Sequence, residues 1–289
     1  VYTIEDGVTQ SLLGSFCNCR QQISYTLNLW QPIRNKNALW FGSLWHYLLE
    51  QYHRSGKGIK CMPKWLKKHD QEVDPQFVEQ TIAMMKILFP AYIKHWQKKD
   101  AKKKFVEVEG VFDIVWNGFR LRGRTDGLFR SGKKLWLKEN KTAARVDNNY
   151  EQGLINNFQN HFYTMVMEQV TGESLAGILY DTTRKSGIKN DRTLPEYSAK
   201  IARDVEKRPE FYFMRHEVVF TKKQKKRFKE DLLIQLQEFK RWLDGDSPTY
   251  CNRAACVAKW PCFYLDACVS GDMTGYLQTG ELFGELKDE

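Results

Sequence analysis

A chain of 289 residues, 42% hydrophobic and 28% charged, has enough apolar material for a substantial core and too much for a disordered segment. No apolar run approaches the roughly 20 residues that a membrane helix needs. The start "VYTIEDGVTQSLLGSF" lacks the basic flank and apolar centre of a signal peptide, so a reducing, intracellular, cytoplasmic setting with no membrane partner is expected. A formal charge of +10 with pI near 9.1 favours a polyanionic partner, because clustered Lys and Arg displace counterions from phosphate backbones. The basic runs "KKDAKKK" at 98–104 and "TKKQKKRFK" at 221–229 agree with this, although either could be a solvated helix face.

In chain order, helices are expected from Phe16 to Trp30, from Ser43 to about Arg54 and from Pro75 to about Lys98, punctuated by Pro32 and Pro75. The period then changes. "FVEVEGVFDIVW", "FRLRGRTDGLFR" and "KKLWLKEN" are strand-like and separated by the hairpin signals Asn117-Gly118 and Ser131-Gly132, which predicts an antiparallel three-strand meander. "YEQGLINNFQNHFYTMVMEQVTG" returns to helical spacing with Gly172 as its stop, and "SLAGILYDTTRK" reads as a strand. A last helix starts at the cap Thr221, lines up Phe228, Leu232, Leu236, Phe239 and Leu243 on one face, and ends at Gly245. This order predicts a mixed α/β plan, a small central mixed sheet flanked by helices after a helical N-terminal region. The polar, acidic tail "GYLQTGELFGELKDE" has no assigned role.

If Ser131-Gly132 is a two-residue loop, Arg130 faces Lys133 and Asp126 falls opposite Leu137. Leu135, Leu137, Glu139 and Lys141 then share one face, with Asp126 a diagonal neighbour of Glu139. Glu139 and Lys141 would sit roughly 7 Å apart along the strand. Two acids beside a lysine suit phosphodiester hydrolysis: a carboxylate-bound Mg²⁺ or Mn²⁺ neutralises a phosphoryl oxygen and activates water, and Lys141 holds or deprotonates that water or stabilises developing charge. The same trio could equally be a cross-strand ion pair on a solvated face.

"GRTDG" followed by "WLKENKT" resembles the RecB-type branch of the PD-(D/E)XK nuclease superfamily. "FGSLWHYLLEQYH" resembles that branch's early helix, whose histidine, here His46, adds a metal ligand. "FQNHFY" places Gln159 and Tyr163 at i and i+4, as in the branch's Gln-xxx-Tyr motif near DNA. The resemblance implies a restriction-endonuclease-like core, a divalent metal at His46, Asp126 and Glu139, Lys141 assisting the water, and Gln159 and Tyr163 positioning the strand. Arg184, Lys185 and the 222–229 run are expected to contact phosphates.

Seven cysteines occur, at 17, 19, 61, 251, 256, 262 and 268. In a reducing setting the C-terminal crowding points to metal or cluster ligation. "PCFYLDAC" resembles the C-terminal triplet of the branch's iron–sulfur members, AddB and the CRISPR-adaptation nucleases. This implies a four-iron four-sulfur cluster on Cys19, Cys256, Cys262 and Cys268, stapling the chain ends. Cys17 could replace Cys19, Cys251 could replace Cys256, and tetrahedral zinc or unligated thiols are the alternatives.

The expected organisation is one nuclease domain over 1–289: a helical part to residue 100, the core from 101 to 220, and a cysteine-rich part from 221 packing back on the N-terminus. The expected function is a metal-dependent DNA exonuclease acting on single-stranded or duplex ends in recombination, repair or phage DNA processing, in a bacterial or phage-infected cell. A helicase or recombination partner and self-assembly are both compatible with it. The competing readings are a non-catalytic nucleic-acid-binding subunit and an RNA-processing nuclease.

Overall fold

The computed structural model describes residues 2–33, 36–191, 193–257, 262–278, 282–283 and 286. Thr9 caps α1 (Gln10–Asn18) by accepting the Leu12 N–H, and an extended Cys19 separates it from α2 (Arg20–Leu27). The single helix expected from Phe16 to Trp30 is thus two, because Cys19 leaves helical geometry. After β1 (Trp30–Pro32), α3 (Asn37–Ser55) begins a turn and a half before Ser43 and closes at Gly56 with a left-handed φ of 70°. Short α4 (Met62–His69) precedes α5 (Pro75–Asp100), whose first turn is held by Pro75 and by the Asp74 carboxylate accepting from Gln76 and Phe77.

The meander forms as β2 (Lys103–Trp116), β3 (Phe119–Ser131) and β4 (Lys134–Ala143). Asn117 and Gly118 take φ of 47° and 83° between Trp116 and Phe119, as a two-residue hairpin turn of the primed kind demands. The second turn differs from expectation. Ser131 pairs with Lys134, so the loop is Gly132-Lys133 and the register moves by two residues, with Leu128 rather than Asp126 facing Leu137. Gly132, not Ser131, carries the positive φ of 59° that the turn needs. A two-residue shift preserves the side-chain faces, so Asp126 still shares one with Glu139.

Next come α6 (Asn148–Gly153), α7 (Phe158–Thr171) ending at left-handed Gly172, and β5 (Gly177–Arg184). Among the elements that went unanticipated are α8 (Leu194–Lys207), α9 (Pro209–Tyr212) and β6 (Phe213–Val218). β6 hid because its centre is Arg215, His216 and Glu217. Thr221 and Gln224 close a capping box on α10 (Lys222–Leu243). The chain ends in α11 (Arg253–Cys256), α12 (Leu265–Ser270) and β7 (Tyr276–Gln278), which pairs antiparallel with β1. Part of the acidic tail is therefore a strand.

The central sheet has the order β2-β3-β4-β5-β6, antiparallel except where β4 and β5 run parallel. It is the expected mixed sheet flanked by helices. One face packs Leu137, Ile178 and Val218 against Leu13, Val166, Leu236 and Phe239 of α1, α7 and α10. A second core joins α3, α5 and α8 through Trp45, Leu48, Tyr92 and Ile201.

Behind the sheet lies a buried ion network. Asp181 of β5 accepts from Arg215 Nε at 2.8 Å and from Tyr92 Oη at 2.6 Å, and meets Lys138 Nζ at 3.3 Å. Arg215 continues to Asp100 at 2.6 Å. Burial and the Lys138 charge push the neighbouring His53 down to about 2, so it stays neutral beside the ammonium. This network joins α5, β4, β5 and β6. Asp181→Ala would leave Lys138 and Arg215 buried and under-compensated, and we expect a loss of about 3–5 kcal/mol in urea unfolding; a loss under about 1 kcal/mol would contradict that role.

Candidate active site

Three adjacent strands bring three carboxylates to one level. Gly127 pairs with Lys138, so Asp126, one residue beyond, lines up with Glu139 rather than lying diagonal to it. On the other side Val108 pairs with Gly127 and Gly110 with Thr125, which sets Glu109 opposite Asp126. Glu109 is a residue that sequence reasoning passed over. Its φ of 51° is unusual for a side-chain-bearing residue and follows a register shift between Phe105 and Glu107. Counting back from the Asn117-Gly118 turn would have found it, since Trp116 pairs with Phe119 and that register carries Glu109 to Asp126.

α3 lays His46 over this row. Its Nδ1 lies 3.5 Å from Asp126 Oδ1 and 3.9 Å from Glu109 Oε1. Ligand atoms of His46, Glu109 and Asp126 all lie within 4.8 Å of one another, a spacing that could hold a metal ion. Glu139 turns its Oε1 toward Lys141 Nζ at 2.5 Å and accepts from Gln159 Nε2 at 2.7 Å. The tightest donor set thus has Glu109 where Glu139 was expected, because Glu139 is drawn to the lysine two residues on. Asp126 is fixed from the other side, its Oδ2 accepting the Asn140 N–H at 2.5 Å.

The sequence profile of the PD-(D/E)XK nuclease superfamily matches residues 8–269. The chain belongs to that superfamily. No curated protein matches it. Among solved structures, one named "Putative exonuclease" from Eubacterium rectale is 13% identical, with a TM-score of 0.52 over 94% of this chain and 97% of that one. At that identity the likeness concerns the fold alone. A second, SSO0001, is 12% identical with a TM-score of 0.32 over 81% of this chain and 78% of that one.

As a PD-(D/E)XK protein, the chain places its acids in contrasting environments. Burial pushes Glu139 up to about 7 although Lys141 pulls the other way, while Asp126 is held down at about 2 against its burial by His46, Lys141 and the Asn140 N–H. Burial also raises Glu109. His46, despite a burial that disfavours its charge, is lifted to about 10 by Asp126 and Glu109. Lys141 is raised above its ordinary value by Glu139 and Asp126, against its own burial, so it is an ammonium. Tyr163, buried on α7 one turn beyond Gln159, is among the groups around that ammonium.

Arg184 and Lys185 sit past the row at the end of β5 with internal contacts. Arg184 donates to Val146 O at 2.7 Å and covers the Phe211 ring; Lys185 donates to Ala38 O at 3.0 Å. In the 222–229 run, Lys225 pairs with Glu168 at 2.5 Å and Arg227 with Asp231 at 3.0 Å. The cysteines converge elsewhere. Cys19, buried at the α1–α2 break, accepts the Asn252 N–H at 3.3 Å; Cys251 Sγ lies 4.0 Å from Cys268 Sγ. Cys262 is raised by burial and by Cys256, Cys19 and Cys251. Cys251 therefore joins the expected four, whereas Cys61, which meets Gln51, and the exposed Cys17 are the two thiols outside the group.

Glu139 carries a consequence for stability. Its folded form keeps a proton between about 4.5 and about 7 that the unfolded chain has released, so folding loses free energy as pH rises through that window. Glu139→Gln mimics the protonated form. In chelator at pH 8 the variant should be about 1–3 kcal/mol more stable than wild type, the gap closing toward pH 4.5; equal unfolding midpoints at both pH values would contradict this.

Proposed function

We propose that the chain is a divalent-metal-dependent nuclease that hydrolyses phosphodiester bonds of DNA, acting as an exonuclease on its ends. The observation that carries this reading is the largely buried row of Glu109, Asp126 and Glu139 beneath His46, with an ammonium at its far end. Three acids at one level of a sheet repel one another, and a superfamily of metal-using nucleases gives that arrangement its purpose. His46, Asp126 and Glu139 would hold Mg²⁺ or Mn²⁺, with Glu109 as a further carboxylate. The bound cation supplies charge neutralisation on phosphate and acidifies water.

The chain's own groups do the rest. Lys141, an ammonium beside Glu139, would donate hydrogen bonds to the attacking water or to the oxygen that gains charge. Gln159 fixes the Glu139 carboxylate, and the Asn140 N–H fixes Asp126. Tyr163 and Gln159 present the α7 face to the strand, and Arg184 and Lys185 line its exit at the end of β5. The name of the Eubacterium rectale neighbour agrees with the exonuclease form of this reading.

A second element of the proposal is an iron–sulfur cluster tying the chain ends, supported by the convergence of Cys19 with Cys251, Cys256, Cys262 and Cys268. Cys251, through its approach to Cys268, competes with Cys256 as a ligand, and zinc is the alternative occupant.

The test is degradation of 5′- and 3′-labelled linear DNA, with circular DNA and RNA alongside, by anaerobically purified protein in Mn²⁺ or Mg²⁺. Asp126→Ala and Glu139→Ala should abolish cutting, and Lys141→Ala should slow it by at least about 100-fold. Absence of cutting by wild type in either metal would overturn the proposal, and preference for RNA would redirect it.

A further inference from the structure

A cavity of about 320 Å³ opens beside the carboxylate row, between α3, α4 and the β2–β3 edge, and Glu109 is part of its wall. Four cations face it: Arg54 from α3, Lys64 and Lys68 from α4, and Arg124 from β3. Glu50 and Glu109 are the acids on this wall among the described residues, and Glu50 is engaged by Arg54 at 3.0 Å. Lys64 and Lys68, one helical turn apart and exposed, make no ion pair among the described residues. Arg54 also donates to Val108 O at 3.0 Å, which pins that part of the wall to the residue before Glu109. Arg124 stands two residues before Asp126 on β3, hence on the same face of the strand.

Lys64 and Lys68 repel each other across this wall, and an anion seated beside them relieves that cost. The volume is at the small end of ligand sites, and the wall is shared with the row proposed to cut phosphodiesters. We propose that this cavity is a phosphate subsite, which holds a nucleic-acid phosphate next to the one being hydrolysed. The inference rests on the nuclease reading and deepens it. The phosphate belongs either to a strand terminus or to the continuous backbone. In the first case the subsite recognises an end; in the second it tracks the strand.

The experiment uses the full chain and two double variants, Lys64→Ala/Lys68→Ala and a control, Lys133→Ala/Lys134→Ala, at the exposed hairpin between β3 and β4. Binding of labelled oligonucleotides is followed by anisotropy in chelator at several salt concentrations, on 5′-phosphorylated, 3′-phosphorylated and unphosphorylated linear strands and on a closed circle. Lys64→Ala/Lys68→Ala should lose about tenfold in affinity and flatten the salt dependence by about one unit of slope, while the control changes less than about twofold. A loss confined to phosphorylated ends supports a terminal subsite, and an equal loss on all substrates, the circle included, supports a backbone subsite. Unchanged binding, or an equal loss in the control, overturns the proposal. Cleavage in Mn²⁺, measured in parallel, separates the two readings: wild type that binds through Lys64 and Lys68 but cuts nothing fails the nuclease reading while supporting the subsite.

Discussion

The constraint on which the site depends is the mutual repulsion of Glu109, Asp126 and Glu139, set side by side on three strands. Each is largely withdrawn from water, where a carboxylate's charge is costly unless something answers it. The protein answers from several directions. His46 leans over Asp126 and Glu109, Lys141 and Gln159 hold Glu139, and a backbone N–H holds Asp126. These answers come from three elements, so α3, β4 and α7 must all dock correctly for the row to exist. The sheet pays for this arrangement with its cores and with the Lys138–Asp181–Arg215 network on the reverse of β4.

β4 shows the division of labour. Leu135 and Leu137 anchor it in the α7–α10 core, and the same face then turns polar at Glu139 and Lys141. Its other face carries Lys138, fully buried among Tyr92, His53 and Asp181. Adjacent residues thus serve opposite purposes. Glu139 is placed where a cation can answer it, whereas Lys138 is already answered internally. The parallel pairing of β4 with β5, buried along all but its last residue, sets Tyr180 beside Glu139.

Much of this was legible because it is local. Asn117-Gly118 sets the first hairpin, Gly172 ends α7, and Thr221 starts α10, each through backbone geometry that one or two residues dictate. The Glu-x-Lys spacing put Glu139 and Lys141 on one face whatever the register. What escaped needed non-local information. The Gly132-Lys133 turn displaced the pairing by two because the glycine, rather than the serine, accommodates a positive φ. Glu109 was passed over although the register from the Asn117-Gly118 turn reaches it, and Cys251, weighed as a replacement for Cys256, meets Cys268 because α12 brings that thiol beside it. β6 was invisible since its charged residues satisfy partners on α5 and β5 that no local pattern announces.

The central claim is that the carboxylate row is a metal site, and anomalous diffraction from crystals soaked in Mn²⁺ tests it most directly. The account predicts a peak at roughly 2.0–2.6 Å from carboxylate oxygens of Asp126 and of Glu139 or Glu109, within reach of His46, with Glu139 released from Lys141. A peak elsewhere, or none at saturating Mn²⁺ with the Glu139–Lys141 pair intact, would contradict it.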